Sequence, residues 1–349
     1  MIQVQLKLRP TPRQVVLFDN WLFSLTGVWN WAVKKIENDA HDGIYYSPKR
    51  FQNLLTGHGK RIGIPSHTLQ GMLSTAHTAW SRCFKKTAGK PRLKGQRNKL
   101  KSIPFIDPIQ SPQNNYVKLP GIGAIRFHKQ QVPTEKIKCG RVIHRASGWY
   151  LCLFIDAERS AIVRTKEGRI GIDPGFTHLI TLSNGAKVKH PHELQGSLAR
   201  LGQAQRGHDR KLTARLQERI ANRRKDRNHK LSLRLVQENV FIAFSRDNIK
   251  GIAKKFGKSV SDSGHAQLRS MLKYKSHTGG TEYVEPESKN STRTCSTCGA
   301  LTGPAGLAEL SVRHWVCPCG AEHDRDVNAA INTLIAGAGT AHERSRDVA

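Results

Sequence analysis

The chain has 349 residues and carries 57 Lys and Arg against 26 Asp and Glu, a formal net charge of +31. That length holds two or three domains with a sizeable core. A charge so large and one-signed opposes compaction unless an anionic partner neutralises it, which points to nucleic acid through phosphate contacts. No apolar run approaches the roughly 18 residues of a membrane span, and the N-terminus lacks the apolar core of a signal peptide. A reducing, cytoplasmic setting is expected, with neither a membrane partner nor a small-molecule substrate.

In chain order, residues 2–8 alternate as a strand, and Thr11-Pro12 reads as the N-cap and first position of a helix. Apolar residues then recur at helical spacing from Arg13 to about Asp39, and Trp21, Trp29 and Trp31 read as helix core rather than a stacking platform. Helical patterns follow at Ser47–Leu55 and Pro65–Lys86. The stretch from Lys85 to Lys101, with Lys90, Arg92 and Lys94, lacks periodicity and reads as a basic loop suited to phosphate. From Ser102 to Ala157 the period becomes two. Candidate strands at 116–119, 124–127, 137–143 and 149–155 suggest a small barrel or sheet that the first strand joins. Residues 158–168 read as a linker.

Arg169–Pro174 is a short apolar strand delivering Asp173 into a glycine-containing turn, followed by a second strand, Leu179–Leu182, that ends at Ser183-Asn184-Gly185. Residues 191–239 read as one long basic helical region. Arg206, Arg215, Arg219, Arg223, Arg224, Lys225 and Lys230 lie there with few acids, as a surface that tracks a nucleic-acid backbone would require. Val240–Phe244 is a buried strand, Ala253–Lys273 a helix, Thr281–Pro286 a further strand, and a last helix opens at Asp324.

Four of the seven cysteines cluster as Cys295-x-x-Cys298 and Cys317-x-Cys319, a spacing that suits Zn²⁺ rather than disulfides. The second half has one residue too few. Three ligand sets therefore stand: four cysteines, three cysteines with His314 or His323, or a degenerate ribbon without metal. Asp324 reads as the N-cap of the last helix. Asp326, two residues further in, is raw material with Asp173 for a Mg²⁺ site, because hard divalent ions take carboxylate oxygens from separate elements.

Gly171-Ile-Asp-Pro-Gly175, Arg224-Lys-Asp-x-x-His-Lys230, Asn248-Ile-Lys-Gly251, Lys258–Asp262, Lys289–Gly299 and Asp324-Arg-Asp-Val-Asn-Ala-Ala330, in this order, resemble the TnpB (OrfB) family of transposon-encoded RNA-guided nucleases, related to type V CRISPR effectors. The ordered motifs run from about 169 to 334; the N-terminal half matches more loosely. The resemblance implies an α+β multidomain chain. Its guide- and target-binding lobe would occupy residues 1–157, a β-barrel at 1–10 and 102–157 with a helical insertion at 11–101. A RuvC-type nuclease domain of RNase H fold would follow at 166–349, with a zinc ribbon at 291–322. It also implies a guide RNA, a double-stranded DNA target and Mg²⁺-dependent phosphodiester cleavage through three acids.

Asp173 and Asp326 match the first and third acid. Ser245 stands where the second, a Glu, belongs, and a neutral hydroxyl does not replace a carboxylate on two metals. Asp247, two residues on, and Glu287, before the ribbon, are the candidate substitutes. The alternative is a nuclease-deficient RNA-guided DNA-binding protein acting as a repressor; another is a DNA-binding transposase subunit without RNA.

Overall fold

The computed structural model describes residues 2–96, 98–158, 160–175, 177–190, 195–246, 263–287, 289–305, 309 and 311–346. The chain divides into two compact units, Met1–Arg159 and Ser160–Ala349.

The first unit opens with β1 (Ile2–Arg9) and α1 (Pro12–His41). Thr11 caps α1: its hydroxyl accepts from the Gln14 amide and Gln14 Oε1 accepts from the Thr11 amide, a reciprocal capping box. Three helices follow, α2 (Pro48–Gln52), α3 (Gly59–Ile62) and α4 (Ser66–Phe84). The strands β2 (Ser102–Phe105), β3 (Tyr116–Leu119), β4 (Gly123–Phe127), β5 (Ile137–Arg145) and β6 (Gly148–Ile155) complete the unit. They form one antiparallel sheet in the order β2-β5-β6-β1-β4-β3. The first strand thus lies inside a sheet whose other strands come after the helices. Phe18, Leu25, Leu69 and Leu73 from the helices and Leu6, Ile103 and Leu151 from the sheet share one buried core. Alternating apolar strands placed beside amphipathic helices bury both faces this way.

The second unit contains β7 (Gly168–Pro174), β8 (His178–Leu182), β9 (Lys187–Lys189), α5 (Gln195–Arg206), α6 (Arg210–Glu238) and β10 (Asn239–Phe244). It continues through α7 (His265–Gly279), β11 (Glu282–Val284), β12 (His314–Val316), β13 (Glu322–Asp324) and α8 (Arg325–Arg346). The main sheet runs β11-β10-β7-β8-β9. Its first three strands are parallel, and β8 and β9 return antiparallel as hairpins.

The basic region expected as one helix is two. His208, at φ 51°, turns the chain, and Asp209 caps α6 through the Leu212 amide. Leu201 and Ala204 of α5 then pack on Leu216 and Ile220 of α6 as a separate small core.

The two faces of the main sheet are covered differently. Ile170, Ile172, Ile242 and Phe244 pack against Leu231 and Leu235 of α6 and Leu268 and Leu272 of α7. On the other face α8 crosses so closely that glycine is required. A Cβ on Gly171 would collide with the Ala330 carbonyl and sit 2.8 Å from Leu334 Cβ, and one on Gly337 would sit 2.6 Å from Ala243 Cβ. Among the described residues no helix is long and apolar enough to cross a membrane.

Candidate functional site

Side chains two apart on a strand share a face. Asp173 therefore lies on the face that Gly171 presents to α8, about 6.6 Å further along β7. Asp326 is in the first turn of α8, one turn before the Ala330 carbonyl that meets Gly171. Strand end and helix start thus bring the two carboxylates to the same end of the same face. Both are half-buried. The Asp173 backbone is held in register with Thr181 of β8.

Arg313 bridges this corner. Its guanidinium lies 3.5 Å from Asp326 Oδ1 and 3.4 Å from Thr177 Oγ1, in the turn after β7. Sequence reasoning passed over Arg313, which lies thirteen residues before Asp326 and 136 after Thr177. No local pattern marks it; only the fold brings its partners together.

The position expected for the second acid is also defined. Phe244 pairs with Ile172, and the Ser245 amide donates to the Ile172 carbonyl at 3.0 Å. Ser245 is thus level with Asp173 on the adjacent strand, on the parity of Ala243 and so on the α8 face, and is 1% exposed. A neutral, buried hydroxyl occupies that place. Glu287 is exposed, three residues past the end of β11. Glu285 accepts from the Tyr283 hydroxyl at 3.0 Å and faces Arg269 at 3.8 Å, on the opposite side of the sheet from Val284 and α8. Asp247 lies outside the described residues, as do 248–251 and 258–262 of the motifs.

Asp324 is the cap expected of it. Its Oδ1 accepts from the Asp326 and Val327 amides at 3.1 and 3.0 Å, and its Oδ2 from Lys187 at 2.6 Å. Burial opposes ionisation of this carboxyl, but Lys187 and the Val327 amide outweigh it and hold it below its ordinary range.

The four cysteine sulfurs converge, all within 4.8 Å of one another. Cys295 and Cys319 are 3.8 Å apart, Cys298 and Cys317 3.6 Å. Four thiolates at about 2.3 Å around a tetrahedral ion lie about 3.8 Å apart, so the donor set fits one such ion. The short C-x-C half is no obstacle. Gly299 and Gly320, at φ 79° and 85°, close both turns in the left-handed region, with amides donating to the Cys295 and Cys317 carbonyls.

His323 lies outside the group of four converging donors. Its Nε2 lies 3.0 Å from Cys295 Sγ, as a partner of the sulfur. His314 is exposed and points to Asp324, 4.0 Å away. Burial opposes ionisation of Cys295, yet the Cys298 and Thr297 amides and His323 hold its thiol down to about 5. The Ala321 amide favours the Cys319 thiolate, but the Cys317 sulfur, burial and the other two sulfurs push it up to about 12. Four sulfurs so close do not ionise together without a cation among them. Asn328 bolts this hairpin to α8: its Oδ1 accepts from the Ser296 amide and its Nδ2 donates to the Thr294 carbonyl at 2.8 Å.

Of the basic residues, Arg215, Arg219 and Arg223 form an exposed i, i+4 stripe on α6, with Lys225, Lys230 and the α5 residue Arg206 also exposed. Lys230 pairs with Asp226 at 2.8 Å. Arg224 turns inward, its stem packed against Gly264. The basic loop is not free. Trp29 Nε1 donates to the Arg92 carbonyl, Lys94 lies over the Trp29 ring, and Lys90 pairs with Glu37.

A family model described as the TNB domain of Cas12f1-like proteins matches residues 265–333. A Streptomyces pristinaespiralis protein named "Putative RNA-guided DNA endonuclease" is 33% identical over 295 residues, covering 78% of this chain and 72% of its own. The Escherichia coli (strain K12) protein "Putative RNA-guided DNA endonuclease InsQ" is 26% identical over 304 residues, 78% and 75% of the two chains. The "TnpB-like protein L79" of Acanthamoeba polyphaga mimivirus is 31% identical over 129 residues, 34% of this chain and 24% of its own. Among solved structures, the protein of a Cas12f1–sgRNA–target DNA complex shares the fold, with a TM-score of 0.58 at 13% identity over 91% of this chain and 82% of that one.

Proposed function

The chain belongs to the TnpB family, and on that premise we propose that it is an RNA-guided DNA endonuclease that binds a guide RNA and cuts a matched double-stranded DNA target. What supports the cleavage half is that Asp173 ends β7 and Asp326 opens α8 on the face where Gly171 meets Ala330, while Arg313 joins Asp326 to Thr177 in the turn after β7. The strand order β9-β8-β7-β10-β11, hairpins first and parallel strands after, supports the RuvC-type, RNase H-like reading.

Asp173 and Asp326 would hold Mg²⁺, which when bound supplies Lewis-acid chemistry for phosphodiester hydrolysis. Arg313 sets a half-exposed cation at the rim, where an incoming phosphate meets it. Cys295, Cys298, Cys317 and Cys319 would hold Zn²⁺ in a ribbon that fixes the start of α8. Arg206, Arg215, Arg219, Arg223, Lys225 and Lys230 would track nucleic-acid backbone, with sequence choice left to base pairing. The sheet and helices of the N-terminal unit would form the guide- and target-binding lobe. Ser245 favours one rival, guided binding without cutting.

The test is a matched plasmid incubated with purified ribonucleoprotein and Mg²⁺. Cleavage that Asp173→Ala abolishes without weakening guided binding is the expected result. An uncut plasmid under tight guided binding would overturn the nuclease reading and leave the repressor; absence of a defined copurifying RNA would overturn guidance.

A further inference from the structure

We propose that a groove on the N-terminal unit, between α1 and the segment bearing Lys99 and Lys101, receives one unpaired nucleotide, its base stacked on Phe23 and its phosphate held by those two lysines. The proposal takes its ligand class from the nucleic-acid reading and is independent of cleavage.

The groove is a cavity of about 800 Å³. One wall is the α1 stripe Asp19, Phe23 and Gly27, spaced four apart and so on one face. The other is the basic segment with Lys99 and Lys101, and His144 of β5 also lines it. Both ends of that segment are tied down. Asn30 grips the Lys94 backbone in both directions, donating to its carbonyl at 2.9 Å and accepting from its amide at 2.7 Å. At the far end the His144 amide donates to the Lys101 carbonyl at 2.9 Å. Asn98 braces the middle, accepting from Gly95 and donating to the Leu93 carbonyl. The wall is therefore pre-formed, and a ligand pays little to order it.

The lining suits a base. Phe23 is 83% exposed, an aromatic ring left in water on a helix whose other large rings are mostly packed away. Gly27 leaves open space beside it: a Cβ there would meet nothing within 4 Å. Asp19 supplies an acceptor for an exocyclic amine. Burial, only partly opposed by Asp19, keeps the His144 ring below its usual range and so neutral, able to donate and accept. An exposed ring flanked by lysines is how sequence-tolerant single-strand sites hold a base. A peptide without acidic side chains would gain nothing from the lysines.

The test uses the full-length chain, stripped of nucleic acid by high salt, with short fluorescein-labelled oligouridylate, oligothymidylate and a blunt duplex as probes. Phe23→Ala should weaken single-strand binding roughly tenfold and leave its salt dependence unchanged, because stacking releases no counterions. Gly27→Leu should weaken it similarly by filling the groove. Since leucine suits a helix interior better than glycine, its melting temperature should not fall. Lys99→Ala and Lys101→Ala should flatten the salt slope instead.

The arm that responds, RNA or DNA, identifies the strand. As a second readout, photo-cross-linking with 5-iodouridine-labelled RNA, or its deoxy counterpart, should label Phe23, and Gly27→Leu should remove that label. Wild-type binding by both variants, or equal loss on the duplex, would overturn the proposal. Cross-links confined to residues outside α1 would overturn it as well.

Discussion

Ser245 is the residue at which the sequence departs from a three-acid site, and its position makes the departure testable. It is buried, level with Asp173, on the face that α8 covers. A carboxylate there would sit level with that of Asp173 on the adjacent strand, where like charge and burial raise its cost. Ser245→Glu should therefore lower the melting temperature in chelator by several degrees, about 1–3 kcal/mol, and Mg²⁺ should restore it. A variant that melts alike with and without Mg²⁺ would place residue 245 away from the ion. Asp173 was legible in the sequence because strand, acid and turn are contiguous. Arg313 was not, because its meaning comes from Thr177 and Asp326, which only the folded sheet and helix bring near it.

At the scale of elements, α8 is the organising piece, and its start is fixed twice. Asp324 caps it and ties it to Lys187 of β9. Asp324→Ala should cost about 1–2 kcal/mol in thermal unfolding and slow cleavage by loosening Asp326. The sign with pH follows from its depressed carboxyl. The stabilisation is full above the ordinary carboxylate range, near 4, and is lost only as pH falls through the lowered value. In an acid titration, wild type and Asp324→Asn should differ fully above pH ~4 and converge once pH has fallen through the lowered value.

The second anchor is the cysteine hairpin, through Asn328. Cys317→Ser, or a strong zinc chelator, should remove one bound ion per chain by metal analysis and lower the melting temperature. Unchanged melting after metal loss would separate the hairpin from α8. The sequence showed most helices and strands through periodicity. It did not show the break at His208, where one polar helix became two, nor that the basic loop is clipped to Trp29 and Asn30. Hydrogen bonds from side chains to distant backbone leave no periodic trace.

Across the whole molecule, the charge of +31 sets how tightly nucleic acid is held. Affinity for any nucleic acid should fall steeply with salt, and replacing Arg215, Arg219 and Arg223 by Ala should reduce the slope of log K against log salt by about two to three. A slope unchanged by the triple variant would remove that stripe of α6 from the interface. Basic composition alone made this partner class legible. The sheet order was not, since the pairing of β7 with β10 skips over two intervening helices and two strands.

That same long-range wiring has a consequence for synthesis. β7 is translated near mid-chain, but among the described residues the face bearing Gly171 and Asp173 is closed by α8, more than 150 residues later. Contacts so distant in sequence form late. A nascent chain therefore carries Asp173 through the next 153 residues (326 − 173) before Asp326 is made, and the face stays uncovered until α8 is out. Chains arrested before Asp324 should keep a protease-resistant N-terminal unit while the second unit remains open to digestion.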